Sequence, residues 1–199
     1  MADIGKVYES LKEAMESDSR QIIQKDNAIF QLSTIESQKN GDIPFISSVD
    51  LGDCEALIRE QEGLADDEDF FMIKMDLKNE DYSATFVQYE IYNPNTLELV
   101  NLDICDNVTI TMQIPVLLSN DTESFYASLA KYGYQLFNIN DSFYNDICSL
   151  YTAENGADMT LKDRKTIIYD KSKNVSLCQK DCTFESYDPE TKKAKCDWD

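Results

Sequence analysis

A chain of 199 residues with 38 Asp+Glu against 18 Lys+Arg carries a formal charge of −20, and it contains no histidine. That charge repels phosphates, which excludes nucleic acid and anionic membrane surfaces as targets of a basic patch and leaves cationic partners and Ca²⁺. The missing histidine excludes Ser-His and Cys-His nucleophile pairs and histidine-containing zinc sites, while 42% apolar and 11% aromatic residues suffice for one folded domain with at most a small appendage.

Ile4, Val7, Leu11 and Met15 recur at spacings of three and four, which predicts an amphipathic helix over 3–17 with Asp3 as its N-cap. The stretch NAIFQLSTIES reads as a strand closed by the turn formers of KNGDIP. An acidic helix over 53–62 follows, capped by Asp53, with Leu57 and Ile58 inward and Gly63 at its left-handed end. Around it Asp50, Asp53, Glu55, Glu60, Glu62 and the run Asp66-Asp67-Glu68-Asp69 surround a single Arg59, the pattern of a solvated helix and loop. The same run, and Asn138-x-Asn140-Asp141, offer oxygen ligands for Ca²⁺, although neither has EF-hand spacing.

In the middle of the chain Phe71, Ile73, Met75 and Leu77 alternate with Met72, Lys74, Asp76 and Lys78, the period of a half-buried strand. Val87, Tyr89 and Ile91 repeat it, a turn at Asn93-Pro94-Asn95-Thr96 leads back through 97–102, and Val108, Ile110, Met112 and Ile114 alternate with Thr109, Thr111 and Gln113. One-sided burial predicts antiparallel pairing. The expected fold class is therefore α+β and mainly β: an antiparallel sheet or sandwich, short helices and a disulfide-stapled C-terminal segment. Its expected core includes Phe71, Ile73, Val87, Tyr89, Ile91, Val108, Ile110 and Met112.

After Pro115 a short helix through SFYASLAKYG is capped by Asp121 or Thr122, buries Phe125, Leu129 and Tyr132, and ends at Gly133. A helical turn at 142–147 and a helix over 160–169, with Thr160 and Asp163 as a capping box, complete the region. The tyrosines at 132, 134, 144, 151 and 169 read as packing residues more than as a contact surface. The expected organisation is an N-terminal helix and linker (1–27), a β-rich domain (28–120) and short helices with a cysteine-rich tail (121–199).

The cysteines are Cys54, Cys105, Cys148, Cys178, Cys182 and Cys196. Cys178-x3-Cys182-x13-Cys196 lacks the second pair of a zinc site, and the polar contexts of these cysteines favour disulfides over buried thiols. Cys54 and Cys105 flank the β-rich segment and form the expected pair there. Four N-x-S/T acceptors, at Asn107, Asn120, Asn140 and Asn174, point to the same oxidising compartment. The N-terminus lacks a signal-peptide core and no run approaches the length of a membrane span, so the expectation is an internal piece of a longer exported protein. Any membrane attachment then comes through a segment outside this chain.

The series VDLGDCE, VQYEIYNP, LDICDN, FNINDSFYNDICSLYTAENGADMTLKDRK and LCQKDCTFESYDPETKKAKC resembles a group of membrane-anchored surface proteins of protists. In that group a β-rich ectodomain leads into an EGF-like cysteine cluster, and no activity is assigned to it. The likeness covers most of 49–196, is strongest over 137–196, and departs where the cluster closes as C-x-C but here reads Cys196-Asp197-Trp198. The resemblance implies an exported ectodomain with paired cysteines. Spacing allows Cys148–Cys182 with Cys178–Cys196, which is interleaved and EGF-like, or Cys148–Cys178 with Cys182–Cys196. The first is expected, because it ties the tail back from two points. The expected function is a non-catalytic extracellular structural or binding module that meets an unidentified protein or glycan partner, cationic in character, and needs no cofactor beyond Ca²⁺ if that ion binds. The alternatives are a carboxylate-dependent, glycosidase-like hydrolase and a cytosolic acidic interaction scaffold.

Overall fold

The amphipathic stripe forms helix α1 (Ile4–Glu16), which buries Val7, Leu11, Ala14 and Met15. They pack on a sheet made of β1 (Gln21–Lys25), β2 (Ala28–Thr34), β4 (Phe71–Leu77) and β5 (Phe86–Tyr92), all antiparallel and in that spatial order. Phe30, Leu32, Phe71, Ile73, Met75 and Tyr92 supply the sheet side of this core. The computed structural model describes residues 4–16, 21–39, 43–78, 85–152, 158–169 and 177–198, so the Asp3 cap lies outside the described residues.

The sequence pattern gave β4 one solvated face, and the structure corrects this. Met72, Lys74 and Asp76 are as buried as the apolar residues between them, because a second antiparallel sheet stands within the same unit. Its order is β3 (Ser48–Asp50), β6 (Ile110–Pro115), β8 (Lys193–Trp198), β7 (Thr183–Asp188). Between β3 and β4 lies helix α3 (Asp53–Glu62), and the short helix α2 (Ile35–Lys39) extends β2. The start of α3 is capped by Gly52 and not by Asp53: Gly52 sits at φ 53°, and its N–H donates to Asp50 Oδ1 at 3.0 Å. A β-carbon there would approach the Thr109 carbonyl oxygen to 3.3 Å. Gly63 closes the helix in the left-handed conformation, as expected. The return through 97–102 makes only one bridge, Tyr92 to Leu99.

The chain divides into Met1–Val116 with Leu177–Asp199 as one unit and Leu117–Ser176 as another. The residues expected as one tail, 121–199, are thus divided between the two units. Strand β8 lies against β6 with Met112 opposite Cys196, and β7 pairs with β8. The tail needs no core of its own, because Ala194 and Cys196 are buried in the core of the first unit.

The second unit is built on aromatic packing. Helix α4 (Asn120–Ala130) is capped by Ser119, whose Oγ accepts from the Thr122 N–H at 3.2 Å, and so starts before the expected caps Asp121 and Thr122. Helices α5 (Ser142–Asn145) and α6 (Leu161–Asp163, continued by a wider turn over Arg164–Tyr169) complete it. Thr160 caps α6 through the Asp163 N–H, as the capping-box pattern predicts. Leu129, Leu136, Phe143, Tyr144 and Ile168 form its core. The Arg164 guanidinium is buried over the Phe143 ring and donates to the carbonyls of Phe143 and Ser149. Tyr144 is core, whereas Tyr132 stays more than half exposed and stacks on Tyr134; the Tyr169 side chain lies outside the described residues.

Candidate functional site: a groove on a strand edge

Among the described residues strand β5 is the last strand of its sheet, so one of its sides has no strand partner there. In its register with β4, Val87 faces Asp76, Tyr89 faces Lys74 and Ile91 faces Met72. The Val87 N–H donates to Gln179 Oε1 at 2.9 Å, and the Ile91 carbonyl accepts from the Val100 N–H at 2.8 Å. These two bonds show which residues turn their peptide groups away from β4. Peptide direction alternates along an antiparallel strand, so Val87, Tyr89 and Ile91 share the outward parity. Four groups on that edge then remain open: the Val87 carbonyl, the Tyr89 N–H and carbonyl, and the Ile91 N–H. No described residue pairs with them.

This open stretch forms one side of a groove of about 510 Å³, a size suited to binding a ligand. Leu102, Cys105, Val108, Ile110 and Trp198 form its opposite wall, and Tyr8 of α1 contributes to the lining. A shallower extension of about 350 Å³ runs on between Tyr89–Ile91 and Leu99–Leu102. Phe86, Leu99 and Trp198 of the two linings are 42%, 60% and 41% exposed. Among the described residues the charged ones in the lining are Glu90 and Asp106, with no Lys or Arg in either part.

Burial shapes the electrostatics of this wall. It pushes the Tyr89 phenol up to about 12, and nearby Cys182 adds to the effect. Tyr92 is raised by burial and by donating to Glu90 Oε2 at 2.5 Å, and Tyr8 by burial and the charge of Glu90. All three phenols are protonated at neutral pH, and that of Tyr92 donates to Glu90.

Two disulfides hold the groove. Cys54–Cys105, with 5.3 Å between Cα atoms, fastens the wall residue Cys105 to α3. Cys178–Cys196, at 5.8 Å, fixes the residue next to Gln179 to strand β8, two positions before Trp198. In the chain-entropy picture, loops of this length contribute about 4 and about 3 kcal/mol. The first pair is the expected one. The second is half of the expected interleaved arrangement, and the other half is corrected: Cys148 and Cys182 carry free thiols. Cys148 is exposed in the unit 117–176, whereas Cys182 is half-buried beside Tyr89 in the other, so the two do not belong to one stapled tail. Burial raises the Cys182 thiol, which keeps it a poor nucleophile.

Behind the open edge lies a closed polar cluster. The Ser47 N–H and Oγ donate to the two Asp76 carboxylate oxygens, both at 2.6 Å. Lys74 Nζ donates to Ser47 Oγ at 2.8 Å and to the Ser47 carbonyl, and stands 3.5 Å from Asp76 Oδ1. Burial holds Lys74 down to about 8, against the pull of Asp76 and with a contribution from Lys193. A serine beside such a lysine has the composition of a nucleophile pair. Here the hydroxyl donates its hydrogen bond to Asp76, and all three side chains are shut from solvent and lie apart from the groove lining.

The other anticipated sites lie apart from the groove or on its margin. Asp66 and Asp67 are exposed; Glu68 accepts from Asn95 Nδ2 at 2.8 Å and the Ala65 N–H at 3.0 Å, and Asp69 accepts from the Glu36 N–H. Glu68 and Asp69 thus turn to separate partners. Among the described residues no group of three or more Asp, Glu or Cys is arranged to hold a metal ion. Asn107, Asn120 and Asn140 are exposed, and Asn174 lies outside the described residues. Phe86, Gln179 and Trp198 were not anticipated as site residues; the apolar Trp198 in a polar tail was the one available signal. No family model, curated protein or solved structure matches the chain.

Proposed function

We propose that this chain is a non-catalytic binding module of an extracellular, cell-surface protein, and that the β5 groove is where its partner docks. The observation that carries the reading is the pair of disulfides, one ending on the groove-lining Cys105 and the other two positions before the groove-lining Trp198, a device that works where thiols oxidise. The exposure of three glycosylation acceptors supports it. Asn107 stands between the lining residues Asp106 and Val108, so a glycan there would frame the mouth of the groove. Non-reducing peptide mapping of chain secreted from eukaryotic cells tests the reading. Recovery of Cys54–Cys105 and Cys178–Cys196, with a glycan mass on Asn107, Asn120 or Asn140, is expected; six free thiols would overturn it.

A second reading, a carboxylate-dependent hydrolase, has one observation in its favour: Glu90 and Asp106 line the same groove. Turnover of aryl glycosides that is abolished in both Glu90→Gln and Asp106→Asn would place it first.

A further inference from the structure

Natural sheets cover or disrupt their free edges, because an unpaired row of peptide groups recruits other strands. Strand β7 has a bulge between Phe184 and Ser186 and a Glu185–Lys195 ion pair at 2.6 Å, and β3 is only three residues long. The edge of β5 is treated differently from those of β7 and β3. It is sealed at one end by the Gln179 side chain and at the other by Leu99–Val100, and among the described residues it is left open between.

From this we infer that the open stretch of β5 takes up an extended Lys- or Arg-bearing segment of a partner polypeptide as a fifth strand of its sheet. The inference rests on the proposed function and specifies its partner. Tyr89 can exchange a pair of hydrogen bonds with the residue opposite it, while the Val87 carbonyl and the Ile91 N–H each add one. The footprint is thus five residues, roughly 13 Å of extended chain. The bond from Gln179 and the bond to Val100 stop the added strand at both ends, which sets its register. Apolar side chains of the segment meet Leu102, Val108, Ile110 and Trp198, and its cations meet Glu90 and Asp106. Charge selects this occupant over a second copy of the chain, since two bodies at −20 repel each other and no described residue of the lining brings a cation to the groove.

The test uses the whole oxidised chain, ¹⁵N-labelled, with the acetylated and amidated peptide Lys-Val-Lys-Val-Lys-Val-Lys as probe. Two control peptides accompany it: one with every backbone amide N-methylated, and one with Glu in place of Lys. Titration should show binding that is weakened at least about tenfold by N-methylation, which removes strand pairing and keeps the charge, and by the Glu exchange, which does the reverse. Amide hydrogen exchange at Tyr89 and Ile91 should slow at least about tenfold in the complex. N-methylated peptide binding within twofold of the parent would reduce the contact to charge attraction and overturn strand addition. So would an absence of binding, protection confined to other amides, or a concentration-dependent dimer that protects Tyr89 without peptide. A chain with both disulfides and its glycans that ignores the peptide sinks strand addition alone. Six free thiols sink the extracellular reading whatever the peptide does.

Discussion

Strands β4 and β5 are neighbours with the same alternation of residues, yet one is enclosed on every side and the other borders solvent. In β4 the polar parity of the alternation, Lys74 and Asp76, is buried and satisfied by Ser47. In β5 the apolar parity includes Tyr89, which is only half-buried and lines a groove. The difference teaches that a period of two identifies a strand and its two faces. What covers those faces, and whether the edge is paired, is settled by segments remote in the chain.

The comparison is broken most severely at Lys74. Lys74→Met leaves Asp76 buried with two donors from Ser47 and without its Lys74 ion pair, so a loss of about 4 kcal/mol in denaturant-unfolding stability is expected. The double replacement Lys74→Met with Asp76→Leu removes both charges and should recover most of that loss, because well-packed apolar pairs substitute for buried ion pairs. A single variant as stable as the wild type would show that β4 does not depend on its buried pair.

The pH dependence of stability comes next. The folded-state Lys74 titrates near 8, against an ordinary value of 10.5. Below about 8 both folded and unfolded chains hold the proton and this group gives no slope. Between about 8 and 10.5 the unfolded chain holds a proton that the folded chain has lost, so stability rises with pH, by up to about 3 kcal/mol over the whole interval. Tyr8, Tyr89 and Tyr92 act in the opposite sense: they are raised in the folded state, so above about 10 the unfolded chain loses its phenolic protons first and stability falls. Urea midpoints for the wild type should therefore climb from pH 8 towards 10 and then drop. Lys74→Met should show the drop without the climb, and a parallel pair of curves would contradict the assignment.

Much of the fold was legible in the residues for physical reasons that can be named. The stripe Val7, Leu11 and Met15 gave α1, the alternations gave β4, β5 and β6, and the flanking positions of Cys54 and Cys105 gave one disulfide. Of the expected core, Phe71, Ile73, Val87, Ile91 and Met112 are buried. Tyr89, Val108 and Ile110 are half-buried, and all three line the groove. The departures in the expected core thus gather at the candidate site, where apolar residues face solvent. The groove itself was illegible, because its walls come from residues as far apart as Tyr8 and Trp198 and no local motif joins them. The return of the tail was hidden for a related reason: β8 offers only Ala194 and Cys196 to the core and takes the rest of its apolar surroundings from β6.

Gln179 is where the two strands' situations can be exchanged, with a smaller effect. Its Oε1 is the partner of the Val87 N–H, and its side chain also bonds Cys182. Gln179→Ala leaves a buried backbone donor without a partner, which costs about 2 kcal/mol, less than the loss of a buried cation. Part of that cost returns if water reaches the opened end of the strand. The same change adds the Val87 N–H to the open row, so β5 presents five groups in place of four and its edge grows towards that of a fully unpaired strand. Binding of the Lys-Val peptide should accordingly strengthen several-fold while stability falls, a pairing of opposite signs that simple loss of structure does not give. Weaker binding in step with weaker folding would mean that Gln179 props the groove as a whole, and that the edge of β5 is closed by more than a single side chain.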